Sequence, residues 1–562
     1  MKKYFSISSS VLLALVLIAF GSCKDAWNEH YSFKETESKY PVAKLAETLS
    51  SIDGYEKFCE ALSTTRMVDK KGKPINMTYM DLLDEDQFLT VWAPTNDADV
   101  DWALYTKRDK TDAEHKMVGE QFIMNHIARF KHSVGAGSSE KIKMMNGKAY
   151  STDEEAIAGI DYQGDDKNIR CSNGVLHCIG GALKRLDNLY EFITTDPRYK
   201  PLFGDWFKSY TVEEIDPSRS VAQGVNENGE MVYVDSVMNE YNRLMSLYGR
   251  ILSEDSDYVM VLPTPELWET VYNHIKPSFV YGEKYLNNDS LQRYYTTTTM
   301  MSDMFFSMNP KVQVYLPDSI CSTLYSAYEN RTEGKPYHIF GHPYDNTGLF
   351  GSAVETVECS NGKIYIIDQW PFADTLTYIR TIKFEAENYT ELDGFSLRTV
   401  GMIGFDREHV TENTVQVMRI SYPGVAAWNA KMYIRDHLSG KYNIKMVVAP
   451  NVVDNMPCYV HPVVKFDTPT QRDSVLIDST TTITTKDSRG RITTVTQKYM
   501  VSGSMEYLDT FNLGTVVFPY SNYDMNQARL SIELTSGVNE KNNSKYTSEL
   551  WLDGFILEPV VE

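Results

Sequence analysis

The pattern of apolar and polar positions repeats itself along the chain. An apolar run ending at proline, VWAPTNDADVDW at residues 91–102, is followed by CSNGVLHCIGGAL at residues 171–183. The same order recurs in VLPTPELWETV at residues 261–271 and CSNGKIYIIDQW at residues 359–370. Two separated motifs in the same order, roughly 80–100 residues apart, indicate one folding unit used twice.

Within the first repeat, residues 42–62 have apolar positions at helical spacing and predict two short helices. FLTVWAP at residues 88–94 predicts a buried strand that ends at its proline. The polar residues 95–97 that follow predict the N-cap of a helix, because unpaired N–H groups need side-chain acceptors there. MVGEQFIMNHIARF at residues 117–130 predicts one amphipathic helix.

Each repeat ends in an apolar pair of β segments around a Ser-Asn-Gly sequence. Asn173-Gly174 and Asn361-Gly362 predict two-residue hairpin turns, since both turn positions favour positive φ. The second repeat diverges from the first: Tyr365 stands where the first repeat has His177. The two units therefore share a plan without being interchangeable in function.

The last part of the chain, residues 377–562, shows alternating strand patterns and no clear helix. Several short strands separated by turn residues predict an all-β sandwich. A stretch rich in Ser, Thr and charge, residues 468–497, predicts a long hairpin projecting from that sandwich.

The amino terminus reads as a leader. Two lysines precede the apolar run VLLALVLIAF at residues 11–20, which is short for a permanent bilayer span. Gly21, Ser22 and Cys23 follow, and this run resembles the lipobox of bacterial lipoproteins. The resemblance implies a signal peptide over residues 1–22, lipidation of Cys23 and a lipidated tether over residues 23–39. The charged residues after Cys23 resemble the export tag of surface lipoproteins, which implies an outer-membrane anchor facing the cell exterior.

Charge and cysteine content narrow the function. The formal net charge of −21 argues against nucleic-acid binding, which needs a basic surface. The seven cysteines include no CxxC pair, so zinc and thioredoxin-type sites lack support. No spacing selects a disulfide, and scattered buried thiols are the default expectation.

The repeated motifs resemble the two signature segments of the fasciclin domain. The resemblance implies two α+β fasciclin-like domains, residues 40–187 and a divergent one over 188–376. Asn125-His126 stands where that family carries a Tyr-His pair. The family implies a packing and hydrogen-bonding role for this histidine, and adhesion or partner binding for the domain.

The all-β part resembles the jelly roll of galactose-binding-like and carbohydrate-binding modules. The matching pieces are FEAENY at 384–389, SGKYNIKMVV at 439–448 and LWLDGFILEP at 550–559. The resemblance implies a structural calcium held by Glu385, Glu387 and Asp553, because calcium binds several carboxylate and carbonyl oxygens. The alternative is that these are exposed strand carboxylates.

Candidate glycan-contacting aromatics flank the loop in YPGVAAWNAKMY: Tyr422, Trp428 and Tyr433. Their alternative role is packing. His338 and His342 have metal-like spacing, but Gly341 and Pro343 oppose the helix that a zinc pair would need. No HExxH, GxSxG or P-loop motif is present.

The sequence therefore predicts a non-enzymatic cell-surface lipoprotein with two fasciclin-like domains and a jelly-roll sandwich. The leading hypothesis is an accessory role in a SusC/SusD-like TonB-dependent uptake system, with a glycan as ligand. The alternative is an adhesin that binds host matrix or neighbouring cells. A hydrolase hidden in the sandwich is the third hypothesis.

Overall fold

The computed structural model describes most of the chain from residue 42 onward, and the chain divides into two compact units between Leu186 and Asp187. The described residues are 42–561 except 70, 165, 216–220, 226–230, 236–237, 284–287, 310–317, 323–338, 387–398, 405–415, 422–427, 450, 452–455, 470, 477–481, 487–491, 497–499, 502–507 and 526–529. Among these residues, no helix has both the length and the apolar content needed to traverse a bilayer. Cys23 and the predicted leader lie outside the described residues.

Unit 1 is an α+β domain built on a four-stranded sheet of order β4-β3-β10-β9. A second sheet has the order β5-β6-β7-β8, and β1 pairs with β2. Its elements are α1 Leu45–Ser50, α2 Glu56–Thr64, β1 Arg66–Val68, β2 Pro74–Thr78, α3 Tyr79–Asp84, β3 Leu89–Pro94, α4 Trp102–Tyr105, α5 Asp112–Gln121, a 3-10 turn Ile123–His126, β4 Ile127–Arg129, β5 Ser139–Lys143, β6 Ala149–Asp153, β7 Ala156–Ile157, β8 Ile160–Asp161, β9 Ile169–Cys171 and β10 Gly174–Ile179.

Strands β3 and β10 form the centre of unit 1. They pair in parallel, and every residue of both strands is buried. Val91 faces a cluster made largely of helical residues, while Trp92 faces a cluster with the β5–β8 sheet. A strand covered on both faces reads as a continuous apolar run, so the predicted buried strand is confirmed.

Two local predictions in unit 1 are wrong. The predicted helix over 117–130 ends at Gln121, and the chain then enters β4, where Ile127 pairs with Val91 of β3. Strand pairing in the core outweighs the helical spacing. Residues 95–97 do not cap the next helix, whose N-cap is Asp101. Asn96 instead accepts a hydrogen bond from Lys57 N, in the first turn of α2.

Unit 2 begins with a second copy of this sheet. Its order is β16-β15-β20-β19, again with a parallel central pair, so the predicted repeat is confirmed. The elements are α6 Leu189–Thr195, a π-helical turn Lys200–Gly204, α7 Asp205–Lys208, β11 Thr211–Ile215, β12 Val221–Val225, β13 Met231–Asp235, β14 Met238–Asn242, α8 Met245–Tyr248, β15 Tyr258–Pro263, α9 Pro265–Ile275, a 3-10 turn Lys276–Phe279, α10 Asn288–Met301, β16 Phe305–Ser307, β17 Ser319–Cys321, β18 Ile339–Gly341, β19 Glu355–Cys359, β20 Gly362–Ile367 and α11 Asp374–Thr377.

The asparagine of each Ser-Asn-Gly sequence ties the hairpin to helices. Asn173 Oδ1 accepts from Leu45 N at the start of α1, at 2.8 Å. Its Nδ2 donates to Leu83 O at 2.8 Å and to Glu85 O at 2.6 Å, just beyond α3. One buried side chain thus satisfies one helix start and two carbonyls that would otherwise lack partners.

Asn361 does the same in the second repeat. Its Oδ1 accepts from Leu189 N at the start of α6, and its Nδ2 donates to Ile251 O and Ser253 O. The distances are 2.9, 2.7 and 3.1 Å. The recurrence shows that this asparagine is a structural residue of the shared topology.

The hairpin turns differ from the prediction by one residue. Cys171 pairs with Gly174, so the turn residues are Ser172 and Asn173, and neither has a positive φ. Gly174 is needed for a different reason. A Cβ there would lie 2.0 Å from Leu89 O, because β10 approaches β3 at that point.

The rest of unit 2 is a β-sandwich of two sheets. One has the order β22-β23-β33-β25-β31 with β21 on β33, and the other has β24-β32-β26-β27 with β30 on β26. Apolar side chains from both sheets form one cluster. The strands are β21 Ile382–Glu385, β22 Thr399–Gly404, β23 Gln416–Ser421, β24 Asn429–Ile434, β25 Gly440–Val448, β26 Tyr459–Thr468, β27 Gln471–Leu476, β28 Thr482–Lys486, β29 Ile492–Thr496, β30 Met500–Val501, β31 Asp509–Phe518, β32 Leu530–Ser536 and β33 Leu550–Pro559. Strands β28 and β29 pair with each other inside the predicted hairpin region.

The sandwich and the second repeat are joined by hydrogen bonds. Ser439 N donates to Ser278 O at 3.0 Å, and Ser439 Oγ donates to Pro277 O at 2.7 Å. Tyr295 Oη donates to Asp524 Oδ2 at 2.6 Å. Hydrogen bonds of this length need the two parts to lie close together, in keeping with their place in one compact unit.

The six described cysteines are free thiols, and all but Cys59 are buried. The default expectation of scattered buried thiols is therefore confirmed for these residues. Two buried histidines complete the core of unit 1. His126 accepts from Leu183 N through Nε2 at 2.9 Å, and its Nδ1 lies 2.8 Å from Phe122 O. The predicted packing role of this histidine is confirmed, because both ring nitrogens are already engaged.

His177 lies flat against Trp92, with ring centroids 5.5 Å apart and planes at 9°. Its Nδ1 accepts from Asn168 N at 3.3 Å, and its Nε2 lies 3.0 Å from His132 O. Burial lowers the pKa of both His126 and His177 to about 4. Each imidazole is therefore neutral in the folded state near neutral pH.

We expect the two hairpin asparagines to be needed separately by the two units. Asn173→Ala removes three hydrogen bonds and should destabilise unit 1 by about 3 kcal/mol, since each buried group left unpaired costs about 1–3 kcal/mol. Asn361→Ala should do the same to unit 2. Urea unfolding followed by domain-resolved hydrogen exchange measures both effects. The control is Asn543→Ala at an exposed position, and equal stability of all three variants would contradict this role.

We also expect unit 1 to lose stability in acid. Both histidines have a folded pKa below the ordinary value of about 6.5, so the unfolded chain binds more protons below that pH. The stabilising effect of the neutral rings is complete above pH 6.5 and falls as the pH drops towards 4, by about 3 kcal/mol for each ring. Urea unfolding at pH 7 and pH 5, with hydrogen exchange of unit 1 as the probe, measures the fall. A His126→Gln variant with an unchanged pH dependence would argue against the assignment.

Candidate functional site

The sequence candidates on β24 separate according to strand alternation. Alternate residues of a strand face the same side, and Ala430 and Met432 of β24 point into the core. Trp428, just before the strand, lies two residues from Ala430 and faces the same side. Its side chain is 1% exposed, and its Nε1 donates to Ser548 O at 2.6 Å. The prediction that Trp428 contacts a ligand is therefore wrong, because the ring is part of the core.

Tyr433 has the opposite parity and lies on the outer face of the same sheet. It is half-buried, and Lys431 Nζ lies 4.8 Å from its ring centroid. Desolvation opposes protonation of Lys431, but Tyr433 and Glu533 together raise its pKa above the ordinary value. Tyr422 lies outside the described residues.

The neighbouring strands complete this outer surface. Lys431 of β24 stands opposite Glu533 of β32, and Tyr433 stands opposite Ser531. Ser531 in turn stands opposite Lys465 of β26. Glu533 receives both lysines, at 3.5 Å from Lys431 Nζ and 2.6 Å from Lys465 Nζ. These five residues are called the sheet face below.

The sheet face combines three kinds of contact group. The ring of Tyr433 offers an apolar face and a phenol, the two lysines donate hydrogen bonds, and Glu533 accepts them. The groups stand on paired strands, which fix their spacing before any ligand arrives. Sequence reasoning found Tyr433 but missed Lys431, Glu533 and Lys465. Their alternation with core residues marks them as outward-facing, and this signal is present in the sequence. The strand order that brings them together cannot be read from the sequence.

The predicted calcium ligands lie at an irregularity of the other sheet. Glu385 and Asp553 are both buried, and Ala386 N donates to Asp553 O at 2.9 Å. Val447 pairs with Gly554 while Val448 pairs with Leu552, so Asp553 is the extra residue of a β-bulge. On the other edge of β33, residues 550–552 pair with β23 and residues 554–557 pair with β21, so the bulge lies between these two partners.

This arrangement fits part of the predicted calcium set. Two buried carboxylates on adjacent strands supply the hard oxygens that calcium prefers. The third, Glu387, lies outside the described residues. Within the described part of the chain, no three His, Cys, Asp or Glu side chains converge as metal ligands. The zinc pair is unsupported as well: His342 is exposed in a turn after β18, and His338 is not described.

A further aromatic surface was not predicted. Trp206 on α7, Tyr210, Tyr294 and Tyr295 on α10, and Tyr523 after β31 form a continuous series of ring contacts. The centroids of Trp206 and Tyr294 are 6.2 Å apart, those of Tyr294 and Tyr295 are 5.0 Å apart, and those of Tyr295 and Tyr523 are 5.3 Å apart. All five are partly exposed, and Tyr523 is 42% exposed. They are called the tyrosine row below.

Comparison with known proteins gives no family assignment: no family model matches the chain, and no curated protein matches it at a significant level. Solved structures that are similar in part include a family 11 carbohydrate-binding module from Clostridium thermocellum, at 10% identity and a TM-score of 0.18. The match covers 34% of this chain and 95% of that module. A xylan-binding domain from Paenibacillus barcinonensis is similar at 11% identity and a TM-score of 0.18, over 33% of this chain and 95% of that domain.

The mannanase of Podospora anserina, with its carbohydrate-binding module, is similar at 10% identity and a TM-score of 0.19. That match covers 33% of this chain and 28% of the mannanase. Likenesses this distant add no argument. The β-sandwich of unit 2 rests on its own strand pairing and core.

Proposed function

We propose that this protein is a non-enzymatic glycan-binding lipoprotein, and that its sandwich holds the glycan on the sheet face. The observation that carries the proposal is Tyr433 placed beside Lys431, Glu533 and Lys465 on one strand-built surface. Sugar rings present apolar C–H faces that suit an aromatic ring, and hydroxyl edges that suit charged donors and acceptors. Because the strands fix these groups, little ordering entropy is lost on binding.

The tyrosine row extends the proposal. Its rings lie on the second repeat and on the sandwich, which belong to the same compact unit. Tyrosine and tryptophan give large rigid contact areas at low entropic cost. We propose this row as a further platform for a long glycan, secondary to the sheet face because several of its rings also pack the junction.

The proposed cellular role follows from the leader. Lipidation of Cys23 would hold the protein on the outer membrane, facing the cell exterior. There it would serve a SusC/SusD-like TonB-dependent uptake system as an accessory, with the two fasciclin-like domains as docking surfaces. Purification of the native lipoprotein in mild detergent tests this role, which requires the transporter and its lid lipoprotein to arrive in a fixed ratio.

The adhesin remains the second candidate, since fasciclin-like domains favour partner binding. Removing the sandwich would not separate the two candidates cleanly, because it would expose the surface of the second repeat that Ser439 and Asp524 of the sandwich contact. Point variants on the sheet face leave these contacts intact and are the better test.

We propose a structural calcium ion at Glu385 and Asp553. The ion would neutralise two buried carboxylates and hold β21 against β33 at the bulge. We expect millimolar calcium to raise the melting temperature of unit 2 by several degrees, and the variant Asp553→Asn to abolish that rise. Differential scanning calorimetry with calcium and with a chelator measures it. The matched control is Glu558→Gln, a partly exposed β33 residue paired with Lys445, and a rise retained in Asp553→Asn would rule the site out.

We expect the sheet face to carry glycan affinity. Tyr433→Ala and Glu533→Gln should each weaken binding of the preferred glycan about tenfold, the loss of roughly 1.4 kcal/mol typical of one buried contact. A glycan array followed by calorimetry on the best ligand measures the change. Tyr344→Ala, at another exposed tyrosine of unit 2, is the matched control and should bind normally.

Two outcomes would redirect the proposal. Normal binding by Tyr433→Ala together with loss in Tyr294→Ala would move the site to the tyrosine row. No binding to any glycan, with retention on matrix proteins, would favour the adhesin.

A further inference from the structure

Unit 1 displays two phenylalanine rings at one end of its central sheet. Phe88 is 53% exposed just before β3, and Phe130 is 72% exposed just after β4. Their backbones touch, since Phe130 N donates to Phe88 O at 2.8 Å. Phenyl rings are normally buried, so two neighbouring exposed rings mark a surface that is used.

The backbone holds Phe130 in a conformation that a bulky residue rarely adopts. Its φ is 69°, in the left-handed region. Thr90, which is fully buried, donates through Oγ1 to Phe130 O at 2.8 Å and accepts from His132 N at 2.8 Å. The bond from Phe130 N to Phe88 O precedes these two contacts, so hydrogen bonds hold the backbone on either side of Phe130 while its ring stays exposed.

The second repeat shows that the fold does not require these rings. There Met308 N donates to Asp257 O at 2.9 Å, which is the bond equivalent to that between Phe130 and Phe88. The same topology therefore closes at this point without an aromatic pair. The rings are a feature of unit 1 alone and need an explanation other than folding.

Charges of both signs surround the rings. Arg129 and Lys131 are exposed, and Lys131 Nζ lies 4.1 Å from the centroid of the Phe88 ring. On the other side, the exposed run Asp84-Glu85-Asp86 precedes Phe88, and Lys44 pairs with Asp86 at 3.1 Å. Lys131 lies directly against a phenyl ring, while the acidic run is partly neutralised by Lys44.

The amino-terminal segment enters unit 1 at this same end. Ala43 O accepts from Ser172 N, and the next residue, Asn173, accepts through its carbonyl from Leu89 N, beside Phe88. Val42, the first described residue, is 61% exposed. Three exposed apolar side chains therefore lie where the tether meets the domain.

We propose that this end of unit 1, formed by Val42, Phe88, Phe130 and Lys131, rests on the surface of the bilayer that holds the Cys23 lipid. The inference rests on the lipid anchor of the proposed function and not on glycan binding. Only 18 residues, Lys24 to Pro41, separate Cys23 from this end of unit 1, and a chain of that length limits how far this end can lie from the membrane.

The chemistry favours lipid over a sugar. Phenyl rings have no group to bond hydroxyls, but they insert into the boundary between headgroups and acyl chains, with lysine and arginine reaching the phosphates. The rings alone would bind weakly, and the tether raises their local concentration at the surface.

The test uses the chain from Lys24 to Glu562 with an amino-terminal histidine tag, held on phosphatidylethanolamine and phosphatidylglycerol vesicles by a nickel-chelating lipid. Hydroxyl-radical footprinting reads the exposure of individual side chains. We expect oxidation of Phe88 and Phe130 to fall several-fold on the vesicles relative to free protein. Ile75 in unit 1 and Tyr344 in unit 2, both exposed, should oxidise as before.

A double variant tests whether the two rings themselves cause the protection. Phe88→Ser with Phe130→Gly removes both rings, and glycine suits the positive φ, so the fold is kept. This variant should leave the vesicles several-fold faster on addition of imidazole. Equal oxidation on and off the vesicles would overturn the proposal, as would protection seen on cells but not on vesicles, which would indicate a protein neighbour.

The anchor and the ligand are tested separately. Mass spectrometry of the native amino terminus reports on lipidation of Cys23. The glycan array of the Phe88→Ser, Phe130→Gly variant should match that of the parent, so failure of the membrane contact and failure of glycan binding are distinguishable.

Discussion

The α+β parts of this protein depend on one buried amide in each repeat. Asn173 and Asn361 each join the start of a helix, the end of a preceding segment and the hairpin that carries the second central strand. A buried polar group must be fully paired to be tolerated, so the amide selects one arrangement of these three elements. Once the hairpin is held there, Gly174 and Gly362 allow the strand to approach its parallel neighbour.

The sandwich depends on a simpler constraint, the alternation of side chains along β24. One parity sends Trp428 and Met432 into the core shared by the two sheets, and the other sends Lys431 and Tyr433 outward. Lys431 and Tyr433 form a candidate binding surface only together with Glu533 and Lys465, which lie on neighbouring strands that are distant in the chain. A surface with both an aromatic ring and fixed charges is therefore a product of strand order.

The repeats also show what the shared fold leaves free. The bond from Phe130 N to Phe88 O and the bond from Met308 N to Asp257 O are the same structural feature with different side chains. The framework is kept by main-chain hydrogen bonds, whereas exposed side chains at the sheet end differ between the copies. Surface function can thus diverge in one repeat without disturbing the packing of either.

The sequence by itself determined the repeat, the buried strands and the β-rich final part, because apolar runs, alternation and turn residues are local signals. It also placed His126 correctly as a packing residue. Only the tertiary structure ended α5 at Gln121, shifted the hairpin turn to Ser172 and buried Trp428, since each outcome depends on a partner distant in the chain. The sheet face and the exposed phenylalanine pair likewise required the fold, because strand pairing alone brings their residues together.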